Sequence, residues 1–163
     1  MQEKGDNSSR PEVTFRTGMP VRYRVILLVL GVIATIGTGA GLALVNIGVA
    51  VISAVLFLAV FISVSFMRTT VQLNAREISI KVAGIFGTKI PYKSIDDVAP
   101  AEPTGLTAGM GLRVLQNRTT GYLVGGPSVR ITLARTAVLV SSDTPEKLSE
   151  AIEVRRADNT SSR

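Results

Sequence analysis

From Val25 to Met67 the chain carries no ionisable side chain, a run of 43 residues between Arg24 and Arg68. At about 1.5 Å per helical residue it would reach ~65 Å, roughly twice the ~30 Å hydrocarbon thickness of a bilayer. One helix cannot use it all. The run is interrupted at Val45-Asn46-Ile47-Gly48, where Asn and Gly suit a tight reversal. The pattern predicts two membrane-spanning helices over 25–44 and 49–67, forming a hairpin within a segment of 21–68. From Arg68 onward the pattern becomes short alternation. Val71 and Leu73, then Ile78, Ile80 and Val82, recur with period two, as in strands with one buried face. Further strands are predicted at 88–92, 112–115, 120–124, 129–133 and 137–141, with a strand end or short helical turn at 94–98, giving about seven strands. Asp143 or Thr144 as cap, Pro145 at the first position and Glu146 in the first turn then announce a helix over 144–154. The expected fold class is therefore a transmembrane α-helical hairpin followed, over 69–156, by an α+β domain of mostly antiparallel strands with a C-terminal helix. Residues 1–20 and 157–163 read as disordered tails.

Two other readings of the apolar run fare worse. If residues 25–40 were the apolar part of a signal peptide cleaved near Thr38-Gly39-Ala40, 24 residues would precede that part and a second apolar span would follow almost at once. A buried core hairpin of a soluble protein would keep a polar stripe, and neither segment has one. Arg16, Arg22 and Arg24 precede the first span, Arg68, Arg76 and Lys81 follow the second, and the turn is uncharged. The positive-inside rule then puts both termini in the cytoplasm of a cell (inner or plasma) membrane. Neither span holds a charge for a proton relay or ion pathway, which argues against a transporter. Gly37 and Gly41 form a GxxxG pair, with Gly31, Ala34 and Thr38 on a similar side, and the nearest partner for that face is the second helix, with Ala50, Ser53 and Ala54.

Composition narrows the chemistry. The 163 residues include no Cys and no His, which removes disulfides, thiolate and imidazole metal sites, and Ser-His-Asp catalysis. Neither a catalytic residue, a cofactor nor a metal ligand is expected. Asp96, Asp97 and Glu102 form the sole acidic cluster, better read as a solvated turn than as a general acid–base or cation site. The glycines between 105 and 111 lack the ending of a phosphate loop, and the Asn117-Arg118-Thr119 glycosylation pattern has no meaning in the cytoplasm. Net charge is +6 overall, and +4 from Arg68 to the end. A basic domain tethered to a membrane meets anionic headgroups, each nearby cation adding about 1 kcal/mol. Arg68, Lys81, Lys89 and Lys93 are the candidate headgroup contacts. Scattered basic residues and few aromatics argue against nucleic acid.

Two spans, then the strand pair Val71-Gln72-Leu73-Asn74 and Ile78-Ser79-Ile80, then Lys89-Ile90-Pro91-Tyr92-Lys93-Ser94-Ile95-Asp96-Asp97-Val98, resemble the pleckstrin-homology-like domains of small bacterial membrane proteins. Gly109-Met110-Gly111-Leu112-Arg113, Gly125-Gly126-Pro127-Ser128-Val129-Arg130-Ile131 and Asp143-Thr144-Pro145-Glu146-Lys147-Leu148 are similar to an uncharacterised actinobacterial set of that type. The resemblance covers most of 25–155. It implies a barrel-like sheet capped by a helix, and binding or assembly rather than catalysis. The partners expected are the lipid bilayer and an unidentified protein or a second copy, paired along exposed strand edges such as that beginning at Thr70. An anionic-lipid-sensing module is the alternative.

Overall fold

The structure is a computed structural model, and it describes residues 12–105 and 109–161. The chain divides into two compact units, one made of residues 18–67 and the other of residues up to 17 together with 68–163.

The first unit is a helical hairpin. Helix α1 spans Val21–Ala43 and α2 spans Ile47–Ser65, both long and apolar enough to cross a membrane. Their outward surfaces are exposed along almost their whole length. The helices begin and end a few residues earlier than the charge boundaries suggest, because Pro20 pre-sets the backbone for the start of α1. Asn46 caps α2, its side-chain oxygen accepting from the backbone N–H of Gly48 at 2.9 Å and of Val49 at 3.2 Å. The small residues divide differently from expectation. Gly31 is buried, and a Cβ there would lie 2.6 Å from Cγ of Phe61. Gly37 and Gly41 have nothing within 4 Å, so the GxxxG pair does not face α2. Close approach between the helices rests on Gly31 and on buried Ala50 instead.

The second unit carries nine strands among the described residues. Sheet one has the order β1-β2-β3-β4, with β1 Val13–Gly18, β2 Arg68–Leu73, β3 Glu77–Val82 and β4 Phe86–Pro91. Sheet two has the order β5-β8-β9-β7-β6, with β5 Ile95–Thr104, β6 Gly111–Leu115, β7 Thr119–Leu123, β8 Gly126–Leu133 and β9 Thr136–Ser141. Helix α3, Pro145–Ser161, packs on β5, β8 and the short 3-10 turn Tyr92–Ser94. The core is filled by Val71, Leu73, Ile78, Ile80, Val82 and Ile90 of sheet one, Leu123, Val129, Ile131 and Val140 of sheet two, and Leu148 and Ile152 of α3. Alternation sets this arrangement: in β2 and β3 the period-two apolar residues face inward.

Three expectations need correction. Residues 13–18 are a strand rather than part of a disordered tail, while residues 1–11 lie outside the described residues. Thr17 ties that strand to its own unit, its Oγ1 accepting from the backbone N–H of Asp143 at 3.1 Å. The strand beginning at Thr70 is not an edge, since β1 and β3 flank β2. The C-terminal helix runs on to Ser161 and absorbs most of the tail expected at 157–163, of which 162–163 lie outside the described residues. The strands pair mostly antiparallel, as expected, with one parallel pair, β7 and β9, where β9 inserts between β7 and β8. The Thr144 carbonyl accepts from the N–H of Leu148, placing Thr144 at the cap and Pro145 first in the helix, as the sequence signals predict.

Candidate functional site: the outer face and free edges of the β domain

The candidate cations are placed by the register of sheet one. Thr70 faces Lys81 across β2–β3, Lys81 faces Gly87 across β3–β4, and Ser79 faces Lys89. With period two, Arg68, Lys81 and Lys89 therefore share the outer face, opposite the apolar core positions. They do not form one cluster. Arg68 and Lys81 lie at the end of the sheet where the β3–β4 hairpin turns, and the N–H of Ala83 in that turn donates to the Arg68 carbonyl at 2.9 Å. Lys89 is engaged by Glu77 at 2.8 Å, and that hydrogen bond and charge hold its ammonium above the ordinary lysine range. Lys93 lies on the 3-10 turn beyond the opposite end of β4, where the N–H of Tyr92 donates to the Arg76 carbonyl. Among the described residues, two cations at one end have no carboxylate partner, one in the middle is paired with Glu77, and Lys93 stands on the turn beyond the far end.

A cleft of about 260 Å³ opens between the free side of β4 and sheet two. Thr88, Ser94, Thr120 and Thr136 bring hydroxyls to it, Ile90, Leu133 and Val138 supply apolar wall, and Lys89 is its one cation. Among the described residues no carboxylate lines it. It falls just below the ~300–1,000 Å³ of small-molecule sites.

The acidic cluster is dispersed. Asp96 occupies a register shift between Ile95 and Asp97, and both side chains are exposed. The Asp96 carbonyl accepts from Arg156, and the Glu102 carbonyl accepts from Ser128 Oγ at 2.8 Å, so these residues serve the backbone framework. Among the described residues no three acidic side chains converge as metal ligands would.

The open edges are β4 in sheet one and β5 and β6 in sheet two, with β1 at the remaining edge. Of these, β6 leaves two large apolar side chains in solvent, Leu112 at 42% and Val114 at 87% exposed, whereas β4 and β1 each leave one, Phe86 and Val13, at their first residue. Sequence reasoning named β6 as a strand, but alternation alone cannot tell an edge from an interior position. The chain matches no protein-family model, and no curated protein is similar to it.

Proposed function

We propose that this chain is a non-enzymatic, multi-pass cell-membrane protein whose pleckstrin-homology-like β domain faces the cytoplasm and serves protein–protein interaction or self-assembly. Membrane residence is supported by two long apolar helices with exposed apolar surfaces, and the orientation by Arg16, Arg22 and Arg24 before or in the first turn of α1 and Arg68, Arg76 and Lys81 after α2. The pleckstrin-homology-like assignment is supported by two sheets packed with one C-terminal helix. The observation that carries the binding role is the uncovered edge β6. An edge strand presents unpaired N–H and C=O groups, and here Leu112 and Val114 add apolar contact beside them. Natural edges are usually blunted by charge or Pro; Arg113 alone does so here, and its Nε is turned back to the Met110 carbonyl at 3.2 Å.

A photo-crosslinking residue at Val114 of the full chain in native membranes is expected to give a discrete adduct, of dimer or partner size, that the same residue at Arg130 in the interior of sheet two does not give. An adduct-free Val114 lane would remove the edge from the functional reading. Alkaline phosphatase fused after Arg163 is expected to be inactive, since it would remain inside the cell.

The lipid alternative draws on one observation, the pair Arg68 and Lys81 on one face at one end of sheet one. Salt-sensitive attraction to anionic vesicles is its signature.

A further inference from the structure

The β3–β4 hairpin turns at the wrong kind of residues for a solvated loop. Ala83 and Gly84 adopt positive φ of 55° and 72° to make the reversal, and the next two residues are Ile85 and Phe86. Ile85 is 81% exposed and Phe86 49%. Tight turns in water favour Gly, Asn, Asp and Ser, and two adjacent large apolar side chains at the tip are left without cover among the described residues.

Chain continuity says which end of the sheet this is. Helix α2 ends at Ser65 and β2 starts at Arg68, so only Phe66 and Met67 lie between them and the three-residue step bounds their separation at about 10 Å. Arg68 is in turn bonded to the hairpin through the N–H of Ala83, and Thr69 is in register with Val82. The apolar tip thus belongs to the end of the domain from which the chain enters its apolar helix. At that same end Arg68 and Lys81 stand exposed, and among the described residues neither has the carboxylate that Lys89 has.

We propose that the Ala83–Phe86 tip dips into the interface of the membrane that holds the helical hairpin, with Ile85 and Phe86 among the upper acyl chains and Arg68 and Lys81 at the phosphate level. The combination is that of an interfacial anchor, an apolar wedge rimmed by cations. It fixes a third point of attachment beyond the two chain crossings and so limits rotation of the β domain about its tethers. This rests on the reading of α1 and α2 as membrane spans, and the test separates the two.

The chain has no cysteine, so single-site labelling needs no background removal. Nitroxide labels are placed on Ile85→Cys, on Lys147→Cys of α3 and on Val55→Cys of α2 in the full chain, reconstituted in phosphatidylcholine–phosphatidylglycerol vesicles. Collision with oxygen, which concentrates in lipid, is compared with collision with a water-soluble nickel chelate. The expected result is oxygen-dominated relaxation at positions 55 and 85 and chelate-dominated relaxation at 147. In the double variant Arg68→Gln/Lys81→Gln the position-85 label is expected to shift toward the chelate. Chelate-dominated relaxation at 85 with oxygen-dominated relaxation at 55 would overturn the anchor and leave the spans standing. Chelate-dominated relaxation at 55 would overturn both. Oxygen dominance at 147 as well would mean that the whole domain is adsorbed, and would overturn the specific role of the tip.

Discussion

Arg155 does more for the β domain than any residue of the candidate sites. Its buried guanidinium donates to the carbonyls of Leu73 at 2.7 Å and Asn74 at 3.1 Å, fastening α3 to the β2–β3 turn. Asn159 Nδ2 adds a bond to the Ala75 carbonyl at 3.0 Å, and the Tyr92 hydroxyl donates to the Asn74 carbonyl at 3.1 Å. Replacing Arg155 by Met keeps the stem and removes both donations, leaving two strand-end carbonyls poorly satisfied. The expected loss is about 1.5–3 kcal/mol, the range for hydrogen bonds to charged groups, read from urea unfolding of the detergent-solubilised chain. Tyr92 yields a pH prediction. Burial pushes its phenol above the ordinary tyrosine value of 10.0, against the opposing pull of Arg155. The folded state therefore resists ionisation more than the unfolded chain does. Stability from this source is whole below the ordinary tyrosine range and drains away as pH rises through and beyond it. Tyr92→Phe is expected to cost about 1 kcal/mol at neutral pH through the lost hydrogen bond, and to flatten the alkaline limb of a melting-temperature profile relative to wild type. None of this was legible in the sequence. An Arg near a helix end reads as solvated, and its acceptors lie some eighty positions away on backbone atoms that no side-chain pattern marks.

At the level of elements, the helical hairpin and its small residues give a paired test. Gly31→Val would press a side chain into Phe61, and overpacking of this kind costs about 1–3 kcal/mol. Gly37→Ala meets open space. Spin labels on outward positions Val29 and Val60 are expected to move apart in the first variant and to keep their distance in the second. Asn46→Ala removes the cap of α2 at a cost of about 1 kcal/mol, seen as fraying of the first turn in hydrogen exchange. The two apolar helices, the inward alternation of β2 and β3 and the capped start of α3 could be read from the chain because each is a local pattern with its own period or punctuation. Strand β1 could not. Val13-Thr14-Phe15-Arg16-Thr17 is short, has polar residues on one side and lies between Pro11 and Pro20, so its strand character comes from pairing with β2 and from the Thr17–Asp143 bond. The parallel β7–β9 pair was equally invisible, since alternation specifies faces and not neighbours. The candidate cations were identified individually, but only register shows that Arg68 and Lys81 keep company while Lys93 does not.

For the whole molecule, charge and connectivity set the behaviour. With net charge +6, an apolar hairpin and cations beside it, association of the β domain with anionic bilayers is expected to weaken as ionic strength rises, while membrane residence itself should not. Flotation of vesicle-reconstituted protein in low and high salt, followed by limited proteolysis of the domain, distinguishes the two: salt should speed cleavage without releasing the helices. Connectivity has a further outcome. Because β1 precedes the helices and β2 follows them, yet the two are neighbours in one sheet, both apolar helices are in effect a long insertion in a β connection. A ribosome must finish both apolar helices before the sheet that joins β1 to β2 can close, so the globular part folds only after the hairpin has been made. A truncated product starting at Arg68 would expose the side of β2 that β1 protects and is expected to aggregate. Residues 12–18 joined by a short glycine-rich linker to 68–161 should instead give a water-soluble, cooperatively melting protein.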